Sequence, residues 1–95
     1  MVVSMIQFII ELPDVTSIKE KRRIVHSVRD RLIRKYKLSV AEVDLLDSLA
    51  YSQIGAALVS NSKRYGETVM HKVLAFLEDE CEGRLHDVQI ISEQY

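Results

Sequence analysis

From Ser17 to Lys37 the chain reads SIKEKRRIVHSVRDRLIRKYK, and this stretch constrains the fold more than any other. Val25, Val28, Leu32 and Tyr36 recur at spacings of three and four, as the buried stripe of a 3.6-residue helix requires. Ile18 and Ile24 broaden that stripe near its start. Ser17 followed by Glu20 fits a capping box, in which each side chain satisfies an amide near the other, and Pro13 discourages an earlier start. The opposite side carries nine cations, Lys19, Lys21, Arg22, Arg23, Arg29, Arg31, Arg34, Lys35 and Lys37, against Glu20 and Asp30. The window is therefore at +7 within a chain at -1, and everything outside it sums to -8. Such separation of charge bears on partners rather than on fold. Exposed helical faces are ordinarily charged, and Lys and Arg are good helix formers, so a merely solvated face stands beside a nucleic-acid or acidic-protein contact as the two readings.

The flanking segments change period. Residues 2 to 12 alternate, with Ile6, Phe8, Ile10 and Leu12 on one face and Met5, Gln7, Ile9 and Glu11 on the other, which predicts a central strand with one face in the core. Ser39 to Asp44 reads as a second strand with Ala41 and Val43 on one side and Val40, Glu42 and Asp44 on an acidic outer side. A turn is expected at Asp47-Ser48. The third strand runs from about Tyr51 to Ser60, where Ile54, Ala56 and Leu58 alternate with Gln53, Gly55, Ala57 and Val59. Its small residues at 55 to 57 predict a helix packed closely over it.

Asn61 or Ser62 caps a second helix whose buried stripe is Val69, Val73, Phe76 and Leu77, flanked by Met70 and Leu74. Gly66 weakens its first turns by about 1 kcal/mol relative to alanine, and Gly83 is the expected C-cap. Glu78, Asp79, Glu80 and Glu82 oppose the helix dipole there unless a basic surface lies nearby. Leu85 to Glu93, with Val88 and Ile90 among polar residues, reads as an edge strand.

The order β-α-β-β-α-β predicts an α+β fold over residues 1 to 95 as one domain: a ferredoxin-like sandwich, with a four-stranded antiparallel sheet and two helices on one face. The first and third strands are expected to be adjacent, central and parallel, which would bring both helix N-termini to one end. Thr16, Ser17 and Lys19 would then lie near Ser60, Asn61, Ser62, Lys63 and Arg64, either as an anion site or simply as helix caps. Asp14 in the same loop argues against a phosphate pocket.

Ninety-five residues can bury one core without staples, and the single cysteine, Cys81, cannot form an internal disulfide. His26, His71 and His86 stand at unrelated spacings with no zinc signature, so no metal or cofactor is expected. A reducing cytoplasm is the expected compartment, with neither leader nor membrane segment. Glu42, Asp44 and Asp47 read as solvated strand charges rather than an acid–base pair. Acylphosphatase shares this fold and uses the first strand–helix loop, but that loop needs glycines and an arginine where this chain has LPDVTS, so a hydrolase is only a remote alternative. The sheet offers Gln7, Ile9, Gln53 and Val59 where an RNA-recognition domain stacks bases on aromatics, so stacking is not expected. Met5, Ile9, Val59 and Ile91 on the open sheet face call for a cover, a second copy being the economical candidate.

At SIKEKRRIV (17 to 25), VAEVD (40 to 44) and VSN (59 to 61) the sequence resembles the YlxP-like family of small bacterial proteins. The resemblance spans nearly the whole chain and implies a ferredoxin-like fold, no established enzyme activity, and a setting near RNA or the small ribosomal subunit, because the family's genes tend to lie among those for transcription termination, translation initiation and ribosome maturation. Lys19, Lys21, Arg22 and Glu42 match its motifs. The chain departs from the family at Leu49-Ala50-Tyr51, where members often carry a tryptophan. The expectation is a non-enzymatic protein that binds structured RNA or a ribosome-associated partner through Lys19, Lys21, Arg22, Arg23, Arg29, Lys63 and Arg64. The alternative is a homodimeric module without nucleic-acid binding, in which the acidic end of helix two meets the basic helix of a neighbour.

Overall fold

A computed structural model describes residues 1–95. Six elements follow one another: β1 (Val2–Glu11), α1 (Ile18–Tyr36), β2 (Ser39–Asp44), β3 (Tyr51–Ser60), α2 (Lys63–Glu80) and β4 (Arg84–Gln94). The strands form one sheet in the order β2-β3-β1-β4, antiparallel at every pairing, and both helices cover the same face. This is the ferredoxin-like α+β sandwich that the order of elements predicts.

Local chemistry sets the boundaries. Ser17 Oγ accepts the Glu20 amide at 3.2 Å, and the Glu20 carboxylate reaches back to the Thr16 amide at 3.5 Å, one residue earlier than a standard capping box. The helix ends where Lys37 takes a left-handed conformation, φ 58°, and donates its amide to the Ile33 carbonyl. Ser62 caps α2 in the same way, accepting the Tyr65 amide at 3.1 Å. Between the helices and the sheet, Ile6, Phe8, Ile10, Leu32, Ile54, Met70, Val73 and Leu77 form the centre of the core.

The strand directions correct one expectation. A helical crossover returns the chain parallel to β1 at β2, and the hairpin then reverses it, so β3 runs antiparallel to β1, with Val2 facing Ser60 and Glu11 facing Tyr51. The two helix N-termini consequently lie at opposite ends of the sheet. Thr16, Ser17 and Lys19 do not meet Ser60, Asn61, Ser62, Lys63 and Arg64, and the shared anion site dissolves. Lys63 and Arg64 instead sit at the end where α1 terminates, because β2 begins there, Ser39 pairing with Ala57 near the end of β3.

The sides of two strands also differ from the reading of the sequence. Val40 and Glu42 face the helices, whereas Ala41, Val43 and, after a register shift between Glu42 and Asp44, Asp44 face the open side. Gly55 and Ala57 face that open side too, and a Cβ on Gly55 would lie 3.3 Å from Val43, so no helix explains them. The close helix–sheet approach is at Gly66, where a Cβ would run into Ser4 Oγ, itself the acceptor of the Ser92 hydroxyl at 2.7 Å. α2 ends at Glu80 with Cys81 as its C-cap rather than at Gly83. Gly83 is needed because a Cβ there would strike the Glu11 carbonyl and the Ile10 side chain.

Candidate functional site

The outward side of α1 is the molecule's concentration of positive charge, and the structure sorts its nine cations by what already holds them. Lys21 is withdrawn from the surface altogether, at 1 % exposure. Its Nζ donates to the carbonyls of Leu45 (2.7 Å), Leu46 (3.4 Å) and Ser48, and pairs with Glu42 Oε2 at 3.2 Å. The same carboxylate oxygen accepts the Ser52 hydroxyl at 2.6 Å. The ammonium thus supplies the donors for a tight turn in which Leu45 has φ 62°, and it ties α1 to the β2–β3 connection. Lys21 leaves the candidate surface, and Glu42 is its internal partner rather than a solvated outer charge.

Two further cations are engaged at the surface. Arg29 meets Asp30 Oδ1 at 3.1 Å, and Arg31 meets Glu80 Oε2 at 3.2 Å and the Glu80 carbonyl at 3.4 Å. Arg31 is the basic neighbour that the acidic end of α2 requires, since it satisfies both a carboxylate and a terminal carbonyl of that helix. The remaining six, Lys19, Arg22, Arg23, Arg34, Lys35 and Lys37, are exposed and pair with no carboxylate. Helical spacing puts Lys19, Arg22, Arg23, Arg34 and Lys37 along one ridge about 27 Å long. His26 is exposed on the same ridge between the two groups.

Of the residues selected from sequence, Lys19, Arg22 and Arg23 cluster on the N-terminal half of α1, and Arg29 lies midway with its Asp30 contact. Lys63 and Arg64, both exposed, lie at the same end of the sheet as the α1 terminus but well beyond it, since Tyr36 at that terminus meets Lys72, more than two turns further along α2. A group absent from the sequence selection converges nearby: Arg31, Arg34 and Lys35 surround Phe76 in an open hollow of about 310 Å³. Lys35 Nζ stands 4.5 Å and Arg31 Cζ 5.3 Å from the ring centroid, and Tyr36 meets the ring edge-on at 5.9 Å. The i, i+3, i+4 spacing of the three cations was visible in the sequence, but their partner is on the other helix.

Elsewhere the titratable groups are scattered. No three His, Cys, Asp or Glu side chains gather as metal ligands would. His86 is not isolated, because its Nε2 lies 2.8 Å from Glu11 Oε1 across the β1–β4 pair. Burial pushes the Cys81 thiol above its ordinary range, and Glu82 adds to this, while the Gly83 amide and Arg31 oppose it. No helix is long and apolar enough to cross a membrane.

The arrangement defines a ferredoxin-like sandwich bearing a cationic helix on its outer side. The chain belongs to the family described as protein of unknown function DUF503, which it matches over residues 3–90. It is 32 % identical to the uncharacterized protein YlxP of Bacillus subtilis (strain 168) over 65 residues, which is 68 % of this chain and 71 % of that protein. Among solved structures, the At3g17210 protein of Arabidopsis thaliana superposes with a TM-score of 0.53 at 12 % identity, over 98 % of this chain and 94 % of that one, and shares the fold. A dimeric protein of unknown function and ferredoxin-like fold from Bacteroides fragilis overlaps more loosely, with a TM-score of 0.48 at 12 % identity, over 99 % and 96 % of the two chains.

Proposed function

We propose that this protein is a non-enzymatic, cytoplasmic binder of structured RNA, most directly ribosomal RNA, and that the ridge of α1 makes the contact. The observation that carries the reading is the set of six exposed cations on α1 that no carboxylate of the same chain neutralises. A straight row of point charges on a rigid helix suits phosphates spaced along a folded backbone, and it reads shape rather than base sequence. Two carboxylates interrupt the row, Asp30 midway, where it is held by Arg29, and Asp47 beside Arg22 and His26, and the six unpaired cations outnumber them. Lys63 and Arg64 lie well beyond the end of α1. The setting near RNA and the small ribosomal subunit that the family resemblance implies agrees with this partner.

Fluorescence anisotropy with a labelled RNA hairpin tests the proposal. Reversal of charge in Arg22→Glu/Arg23→Glu removes binding, with far-UV circular dichroism unchanged because both side chains are exposed. Equal affinity of the variant and the unaltered chain would refute the assignment of the contact to α1.

A further inference from the structure

We propose that the open face of the sheet is the contact surface of a homodimer formed about a two-fold axis running along the strands. This surface lies on the far side of the sheet from α1, so the inference goes beyond RNA binding and stands or falls without it.

The face is uncovered, and apolar side chains stand among polar ones across it. Val59 is 63 % and Ile91 43 % exposed, and Val43 and Ile9 lie on the same side. Its volume is also unevenly shared. Two registered rows cross it from β2 to β4: Ser39, Ala57, Met5, Ile91 and then Ala41, Gly55, Gln7, Gln89. In both rows the β2–β3 half carries small side chains and the β1–β4 half large ones. The small half forms a shallow hollow of about 320 Å³ between Met5 and Val43.

A face that is hollow on one half and raised on the other is complementary to itself under one operation. A two-fold axis along the strands places β1 over the partner's β3 and β4 over the partner's β2, which keeps the strands aligned as stacked sheets prefer. Met5 then enters the hollow at the partner's Ala57, Gln7 lies over the partner's Gly55, and Val59 meets the partner's Val3. The charges at the rim agree with this choice of axis. Arg84 stands on the open side of β4 and Asp44 on the open side of β2 at the same end, so the axis turns each Arg84 towards the partner's Asp44, while Glu11 beside Arg84 is already engaged by His86. An axis across the strands would instead stack β1 on β1 and β4 on β4, bringing large side chains against large.

The extent of the face suffices. Four strands about 4.8 Å apart and ten residues at about 3.3 Å each give a footprint of about 600 Å² per protomer, or about 1,200 Å² in all, the lower limit for a specific interface. Both copies of α1 point outward from such a dimer, so the ridges remain accessible.

Sedimentation of the full chain tests the proposal. At about 100 µM a dimer is expected, and because its contact is mainly apolar it persists in about 1 M salt. Ala57→Arg and Val59→Lys each raise the dissociation constant at least about tenfold by placing an unpaired charge in the contact. Val59 is exposed in the single chain, so Val59→Lys leaves the fold intact and decides the matter if Ala57→Arg does not fold. Ala57→Met fills the hollow and weakens the dimer, and adding Met5→Ala restores it. A monomer at that concentration would leave the face to some other partner and overturn the proposal. So would a dimer that dissociates in high salt, one that Val59→Lys does not weaken, or an Ala57→Met defect that Met5→Ala fails to repair.

Discussion

Lys21 shows how one residue can belong to a basic stretch in the sequence and to the interior in the structure. Its ammonium is held by three carbonyls and a carboxylate, so truncation leaves those acceptors without a donor in a place that water reaches poorly. Lys21→Met should cost about 3 kcal/mol, read as a lowered urea midpoint, and Lys21→Met/Glu42→Leu should cost less, because it also removes the orphaned charge. Its role was illegible in the sequence for a physical reason: its partners are backbone carbonyls 24 to 27 residues away, which carry no side-chain signature. Cys81 offers a second check at this scale. Its raised pKa means that the folded chain holds the thiol proton more tightly than the unfolded one does. The resulting stability is fully present below the ordinary thiol pKa and is lost as pH rises through the folded value. Alkylation near neutral pH should therefore be slower in the native protein than in urea, with the gap closing at higher pH; equal rates would contradict the burial.

At the scale of elements, period and caps were legible because they are local. Both ends of α1 follow from residues within four positions of each other, and the alternation of β1 separates its buried and open faces without exception from Val2 to Glu11. The sides of β2 were not legible, since six residues with a register shift near Asp44 give too short a pattern to fix. The direction of β3 relative to β1 follows from the connections rather than from any residue, and it decides that Lys63 and Arg64 lie at the end of the sheet where α1 stops and not where it starts. Gly66 inverts a local rule. Propensity favours alanine there by about 1 kcal/mol, yet a Cβ would collide with Ser4, so Gly66→Ala should lower the stability by about 1–3 kcal/mol. For a chain of this size that is a fall in Tm of roughly 4–24 °C, and a rise instead would mean that α2 does not press on the sheet at Ser4.

The whole molecule is a dipole in which the cationic side of α1 opposes a remainder at -8. Of the nine basic groups between Lys19 and Lys37, three are held by carboxylates of the same chain, and five of the six exposed others form the ridge, Lys35 lying over Phe76 instead. The total charge of the ridge was legible in the sequence, but its division into held and free groups was not, because Glu42 and Glu80 reach it from other elements. Salt dependence measures that division directly. If the free cations release counterions from RNA, the logarithm of affinity falls linearly with the logarithm of salt, and each neutral substitution among Lys19, Arg22 and Arg23 reduces the slope by about 1. Lys21→Met, by contrast, leaves the slope unchanged while the chain remains folded. An affinity indifferent to salt, or a slope that those three substitutions do not alter, would contradict the claim that the outer side of α1 meets a polyanion.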